Sequence, residues 1–146
     1  MPTFVAAGAG FLLAVLWFDL MFDVQARAEP VPVDAVRSIS RYYRRVTTDA
    51  APRNLLVAAA MAWTVVALVI EIVVGPRVAG VVALPLALAA VGLAKARTVP
   101  TAVRIGTAAD PADPTVAAAT RVVLRDHRVC FVLIGAVIAV QLVAAL

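Results

Sequence analysis

Four apolar runs, almost free of charged side chains, alternate along this chain with segments in which charged and polar residues are common. The runs cover residues 3–22, 55–74, 78–94 and 129–146. Each run is close to the roughly 20 residues that an α-helix needs to cross about 30 Å of hydrocarbon. The pattern therefore predicts an all-α protein, a four-helix transmembrane bundle in which residues 1–146 form a single integral membrane domain.

Basic residues are distributed unevenly over the segments that connect these runs. The first and third connections carry six Lys or Arg residues each, whereas the short second connection carries only Arg77. Because Lys and Arg are enriched in the cytoplasmic loops of membrane proteins, we expect both long connections in the cytoplasm and both termini outside. The same basic residues would contact anionic headgroups, so the lipid bilayer is the first expected partner.

The composition excludes a soluble globular monomer. Hydrophobic residues make up 64% of the 146 residues, and a chain of this length cannot bury so much apolar surface by itself. The sequence pI is near 10.2, but the basic residues follow the membrane boundaries, which predicts no nucleic-acid partner. Arg is used far more than Lys, and Ala and Val are abundant; this fits a GC-rich bacterial genome and predicts a bacterial plasma membrane.

The long connections predict two cytoplasmic juxtamembrane amphipathic helices. In the first connection, Asp34 is a candidate N-cap for a helix over residues 35–48. Its apolar stripe consists of Val36, Ile39, Tyr43 and Val46. We expect this helix to lie in the membrane interface with the stripe toward lipid, or alternatively to dock a partner protein or an acidic substrate. In the third connection, Asp113 and Pro114 predict the start of a helix that runs on into the fourth span.

Charged residues at the inner ends of the spans form the leading candidate site, because a charge within hydrocarbon costs about 3 kcal/mol on insertion scales. Asp19 and Asp23 are one helical turn apart on the first span. At the same depth, the second and fourth spans begin with Arg53, Asn54, Arg125, His127 and Arg128. The predicted catalytic residues are His127, Asp19 and Arg128, and the predicted ligand-binding residues are Asp23, Arg53, Asn54, Arg125, Glu71 and Gln141.

Two interpretations of this cluster remain open. In the first, Asp19 pairs with an arginine of a neighbouring helix, and the pair holds the bundle together. In the second, Asp19 or Asp126 orients His127, the one side chain present whose ordinary pKa lies near neutrality, as a general base or proton relay. His127, Asp19 and Asp23 are suitable metal ligands by type. With a single histidine and a single cysteine in the chain, we predict no metal site.

Two polar residues near the outer ends of the second and fourth spans form another candidate site. Glu71 and Gln141 lie at comparable depths and are expected to hydrogen-bond across the bundle or to form a polar step in a ligand or proton path. No phosphate-binding glycine loop, zinc-ligand cluster, haem motif or nucleophile elbow is present, so no cofactor is predicted. Small-residue pairs such as Ala83 with Ala87 let helices approach closely, either within the bundle or in a homodimer. A homodimer or a larger membrane complex is a possible assembly.

The second half of the chain carries a short motif. A Val99-Pro100 step follows the third span, Arg104 comes next, and Arg125-Asp126-His127-Arg128 opens the last span. This order resembles the small four-helix membrane family that includes anthrone-oxygenase-like proteins. The resemblance implies the four-helix membrane fold, oxygenation of polycyclic phenols, and functional roles for the histidine and the arginine that follows it.

These features together predict a small multi-pass membrane protein that binds a lipid or hydrophobic small molecule, or that acts as an accessory subunit of a membrane complex. The alternative is a cofactor-free, oxygenase-like membrane enzyme that acts on a hydrophobic substrate with His127 as base. An ion or proton pathway is a third hypothesis, and the lack of charged residues near the middle of the spans argues against it.

Overall fold

A computed structural model describes residues 2–50, 55–75 and 78–146. Over these residues the fold is all-α, which confirms the predicted class. It contains six α-helices, and because α4 and α5 are joined by a helical turn, these make five continuous helices. The α-helices are α1 (Pro2–Asp23), α2 (Val33–Tyr43), α3 (Leu55–Val74), α4 (Val78–Leu93), α5 (Val99–Gly106) and α6 (Pro114–Val143). A 3-10 turn extends α1, and π-helical turns extend α2 and join α4 to α5.

Four of these continuous helices are long and apolar enough to cross a membrane, as predicted. They are Pro2–Arg27, Leu55–Val74, Val78–Gly106 and Pro114–Val143. α1 packs against α3 and α6, and α4 packs against the same two helices, so the four form a square bundle. The contacts of Asp23 with His127 and of Trp17 with Phe131 show that α1 is antiparallel to α6. Cys130 contacts Ala90 and Asp126 contacts Arg97, so α4 with its extension is antiparallel to α6 as well. The start of α4 at Gly80 lies against the end of α3 at Glu71, so α3 runs in the direction of α6.

The bundle is apolar both inside and outside. Its core contains Val5, Leu12, Leu68, Ala83, Ala87 and Val137. Because Ala83 and Ala87 are fully buried, this small-residue pair packs α4 within the bundle and does not form an outward dimer surface. Val73 of α3 is 77% exposed and Val132 of α6 is 68% exposed. An apolar exterior of this kind is typical of a surface in contact with hydrocarbon.

The third long helix extends further than its apolar run. The run ends at residue 94, but the helix continues through a π-helical turn, Ala94–Thr98, into α5 and ends at Gly106. Pro100 does not break it; this proline is the second residue of α5 and directly follows the π-helical turn. The continuation brings Arg97 and Thr98 to the inner end of the bundle, which is the end where α1 finishes and α6 begins.

The prediction that the apolar stripe of α2 faces lipid is wrong. Val36, Ile39 and Tyr43 are at most 2% exposed and belong to a second apolar core at the inner end. Ala102 and Ile105 of α5 are part of the same core. The apolar stripe of α2 therefore packs on protein, because α5 supplies a surface that the pattern of apolar runs does not predict.

Of the two predicted N-caps, Asp34 does not cap its helix and Asp113 does. α2 begins at Val33 rather than at residue 35, and Asp34 forms an ion pair with Arg37 instead of capping the helix. Asp113 does cap α6: its carboxylate accepts a 2.7 Å hydrogen bond from the Thr115 backbone N–H, and this bond lowers the pKa of Asp113. The predicted start of the last helix is thus confirmed, and the helix ends at Val143.

Candidate functional site

His127 lies at the centre of the candidate site. It is buried on α6, and two carboxylates from α1 approach its two ring nitrogens. Asp23 Oδ2 lies 2.6 Å from Nδ1, and Asp19 Oδ2 lies 3.8 Å from Nε2. One helical turn separates the two aspartates, so both project toward α6. The structure thereby brings together three of the predicted site residues.

Asp23 is fully buried and holds His127 in one orientation. Its Oδ1 accepts a 2.6 Å hydrogen bond from the Tyr43 hydroxyl, and its Oδ2 lies 2.6 Å from His127 Nδ1. Because an ionised carboxylate only accepts hydrogen bonds, this network assigns a proton to Nδ1 and leaves Nε2 facing Asp19. The sequence suggests Asp19 or Asp126 for the orienting role, whereas the structure gives that role to Asp23.

Two adjacent tyrosines of α2 close the inner side of the cluster. Tyr43 donates to Asp23, and Tyr42 donates a 2.6 Å hydrogen bond to Asp19 Oδ1. The ring of Tyr42 also stacks on Phe22, with the ring centroids 4.0 Å apart. Burial, assisted by the nearby carboxylates, raises the pKa of both phenols. Both hydroxyls therefore stay protonated and act as hydrogen-bond donors.

Asp126 belongs to a separate ion pair beside the cluster. Its carboxylate is fully buried and accepts two hydrogen bonds from the Arg97 guanidinium, one of them 2.7 Å from Nε to Oδ2. Thr98 Oγ1 lies 3.5 Å from the same carboxylate oxygen. Within the described residues it is therefore Asp126 that pairs with an arginine and joins two long helices, whereas Asp19 contacts Tyr42 and His127.

An apolar cavity of about 100 Å³ lies between α1, α3, α4 and α6, on the side of the cluster that faces the middle of the bundle. Its apolar wall includes Leu12, Leu16, Val57, Met61 and Ile134. The polar side chains that line it are Asp19, Thr98 and His127. Among the lining residues, Asp19 is the last one from α1 and His127 is the first one from α6. Because α1 and α6 are antiparallel, both lie at the same end of the cavity, which is apolar along the rest of its length.

Other predicted site residues lie outside this cluster. Arg125 and Arg128 are exposed on α6 and have no carboxylate partner among the described residues. Arg53 and Asn54 lie outside the residues that the structure describes. Glu71 and Gln141 are at the opposite end of the bundle, and their side-chain polar atoms have no hydrogen-bond partner. The predicted hydrogen bond between these two side chains is therefore wrong.

The region also contains four residues that were not predicted as site residues, namely Tyr42, Tyr43, Arg97 and Thr98. Tyr43 is counted as apolar in the predicted apolar stripe of α2, although a buried tyrosine hydroxyl needs a hydrogen-bond partner. That requirement is a signal for a nearby carboxylate. Arg97 and Thr98 follow the last apolar residue of the third run, and only the π-helical turn brings them to the site. Turns of this kind are frequent at functional sites.

The described residues contain no group of three or more His, Cys, Asp and Glu side chains arranged to hold a metal ion. The cluster is instead a set of hydrogen-bond donors and acceptors around one imidazole. Comparison of the chain with protein-family models, with curated proteins and with solved structures finds no match.

Proposed function

We propose that this protein spans a membrane four times, with the end formed by α2 and α5 in the cytoplasm of a bacterial cell. The apolar exterior of the four long helices supports the spans. Exposed basic residues without an acidic partner among the described residues lie at or near this end: Arg27, Arg41, Arg44, Arg45, Lys95, Arg104, Arg125 and Arg128. The positive-inside rule supports the direction, and the same residues suit contact with anionic lipid headgroups.

Anionic lipid is expected to stabilise this basic end. In nanodiscs, replacing phosphatidylcholine with phosphatidylglycerol should raise the Tm of the wild type, because exposed arginines attract anionic headgroups. A triple variant with Arg41→Gln, Arg44→Gln and Arg45→Gln should lose most of that rise. Arg121→Gln is the matched control, since Arg121 is already paired with Glu29, and it should keep the rise. An equal rise in the triple variant would contradict the proposed lipid contact.

The ligand that we propose is a small hydrophobic molecule with one hydrogen-bonding group. The observation that carries this proposal is that the apolar cavity ends on Asp19 and His127. The 3.8 Å between Asp19 Oδ2 and His127 Nε2 exceeds a hydrogen bond, so either atom is available to a hydroxyl of the guest. Apolar cavities of about 150 Å³ bind benzene. This cavity is smaller, at about 100 Å³, so the proposed guest places no more than one ring or a short acyl segment in it.

Phenol and toluene test this proposal as a matched pair, because they differ only in a hydroxyl and a methyl group. By calorimetric titration in detergent, the wild type should bind phenol up to about tenfold more tightly, since a hydrogen bond contributes about 0.5–1.5 kcal/mol net. Ala94→Leu, which narrows the cavity, should weaken the binding of both ligands. Val132→Leu, on the exposed face of α6, should leave the affinity for both ligands unchanged. Equal affinities for phenol and toluene would contradict the proposal.

A second candidate is a cofactor-free, oxygenase-like enzyme in which His127 acts as general base. The Asp23–His127 pair favours it, because a carboxylate on Nδ1 fixes the imidazole and leaves Nε2 for proton transfer. The motif at residues 99–104 and 125–128 suggests the same class of reaction. Oxygen uptake, measured both with an anthrone and with a one-ring phenol that matches the size of the cavity, separates the two candidates. Catalysis predicts uptake that a folded His127→Gln variant loses, whereas binding alone predicts no uptake.

A further inference from the structure

The two residues at the polar end of the cavity, Asp19 and His127, are spaced to hold one small polar group between them. Asp19 Oδ2 and His127 Nε2 are 3.8 Å apart, which is too long for a direct hydrogen bond. A single atom beside this line can lie about 2.8 Å from both, within hydrogen-bond distance of each. Asp19 Oδ1 is already occupied by the Tyr42 hydroxyl. His127 Nδ1 is occupied by Asp23, so Oδ2 and Nε2 are the atoms left for a guest.

One proton compensates part of the negative charge that is buried around this pair. Two carboxylates, those of Asp19 and Asp23, face the single imidazole of His127. The other titratable or charged groups packed around the pair among the described residues are uncharged or paired with each other: Tyr42, Tyr43, Cys130, Asp126 and Arg97. Because a buried charge is costly unless it is compensated, a proton that lowers the total from two negative charges to one stabilises the site.

We propose that Asp19 and His127 share one proton, in addition to the proton on Nδ1, and that this shared proton makes the site selective for a hydroxyl group. With the proton on either residue, one of the two facing atoms is a donor and the other is an acceptor. A hydroxyl group both donates and accepts, so it can bond to both atoms at once. The proposal rests on the ligand site proposed above, and it adds the polar group of the ligand and the control of binding by pH.

Loss of the shared proton reverses this selectivity. Asp19 Oδ2 and His127 Nε2 are then both acceptors, and a hydroxyl group can donate to only one of them. An amino group on an aromatic ring has two N–H donors, and its lone pair is a poor acceptor because it is delocalised into the ring. The unprotonated pair therefore favours an aromatic amine over a phenol of the same size.

Phenol and aniline test this proposal, because they have the same shape and differ in the polar group. Their affinities for the full chain in a non-ionic detergent are measured by calorimetric titration between about pH 6 and about pH 9, where phenol keeps its proton. Above the pH at which the pair loses its proton, phenol binding should weaken by up to about tenfold per pH unit, since binding is linked to that proton. Aniline should bind equally well or better as the pH rises.

Asp19→Asn gives a variant in which the donor is permanent. Its side chain keeps the shape of aspartate, and its N–H group faces His127 Nε2 if Tyr42 still donates to Oδ1. The affinity of this variant for phenol should therefore change little with pH. Asp34→Asn is the matched control, because this aspartate is exposed on α2, and it should keep the pH dependence of the wild type.

The outcomes separate this proposal from the proposed ligand site. Phenol binding with a constant phenol-to-aniline affinity ratio over this pH range would overturn the shared proton alone, and this result needs no variant. No binding of either compound at any pH would overturn the ligand site as well. Arg53 lies outside the described residues, so Arg53→Gln is also measured. A pH dependence that vanished in this variant, or that persisted in Asp19→Asn, would overturn the shared proton.

Discussion

Asp23→Ala is expected to destabilise the protein by about 3–5 kcal/mol, the largest effect of any single substitution in the His127 cluster. Asp23 is fully buried and accepts hydrogen bonds from both Tyr43 and His127. Its removal leaves a phenol hydroxyl and an imidazole N–H buried without an acceptor, and each unsatisfied group costs about 1–3 kcal/mol. Unfolding by heat or by SDS in mixed micelles measures the loss.

Asp34→Ala is the matched control, because it removes an aspartate that is exposed. The Asp34 side chain is 91% exposed and pairs with Arg37 one turn away. Exposed pairs of this kind contribute about 0–1 kcal/mol, so little change is expected. Combining Asp23→Ala with Tyr43→Phe should destabilise less than the sum of the two single changes, since both remove the same hydrogen bond. Similar losses for Asp23→Ala and Asp34→Ala would show that Asp23 does not organise the cluster.

Gly106→Ala is expected to have the second-largest effect, because α5 and α2 are in contact through their backbones at this position. A methyl group on Gly106 would lie 2.6 Å from the Arg44 backbone nitrogen and 2.9 Å from the Tyr43 carbonyl carbon. Backbone atoms cannot swing aside as the tip of a side chain can, so α2 must shift. The shift would pull Tyr43 from Asp23. Overpacking costs about 1–3 kcal/mol, and the weakened hydrogen bond adds to that loss.

The control for Gly106→Ala is the same change in a glycine that has space around it. An added methyl group on Gly135 of α6 meets nothing within 4 Å. Alanine at such a helical position usually stabilises a protein by about 0.5–1 kcal/mol. Melting curves should therefore move in opposite directions for the two variants. A neutral or stabilising Gly106→Ala would mean that α2 is not held against α5 at this distance.

Much of the fold is predictable from the chain, because long apolar runs report the spans directly. All four spans and the Asp113 cap follow from hydropathy and local capping chemistry. The continuation past residue 94 does not, since it depends on a π-helical turn that directly precedes the start of α5 and its proline. The prediction of how α2 is oriented is wrong for a related reason. Its apolar stripe is equally suited to lipid and to protein, and only the presence of α5 decides between them.

The candidate site is predictable in part, through the cost of charge near hydrocarbon. Asp19, Asp23 and His127 stand out in the sequence because ionisable residues in apolar spans need partners. Their partners are not apparent in the sequence. Tyr42 and Tyr43 reach the aspartates only because α2 packs against the inner end of the bundle. The depths of Glu71 and Gln141 are also readable from the chain, but depth alone does not show that their side chains fail to meet.

The single histidine of this chain allows the proposed ligand contact to be measured directly. With ¹⁵N-labelled histidine in a lipid nanodisc, His127 contributes one Nδ1 and one Nε2 resonance. Phenol is expected to shift Nε2, the ring nitrogen on the side of Asp19, whereas Nδ1 should change little because Asp23 holds it. Toluene, which has no hydroxyl, should shift Nε2 much less. If saturating phenol moved neither resonance, or moved Nδ1 alone, the cavity would not present His127 to a ligand.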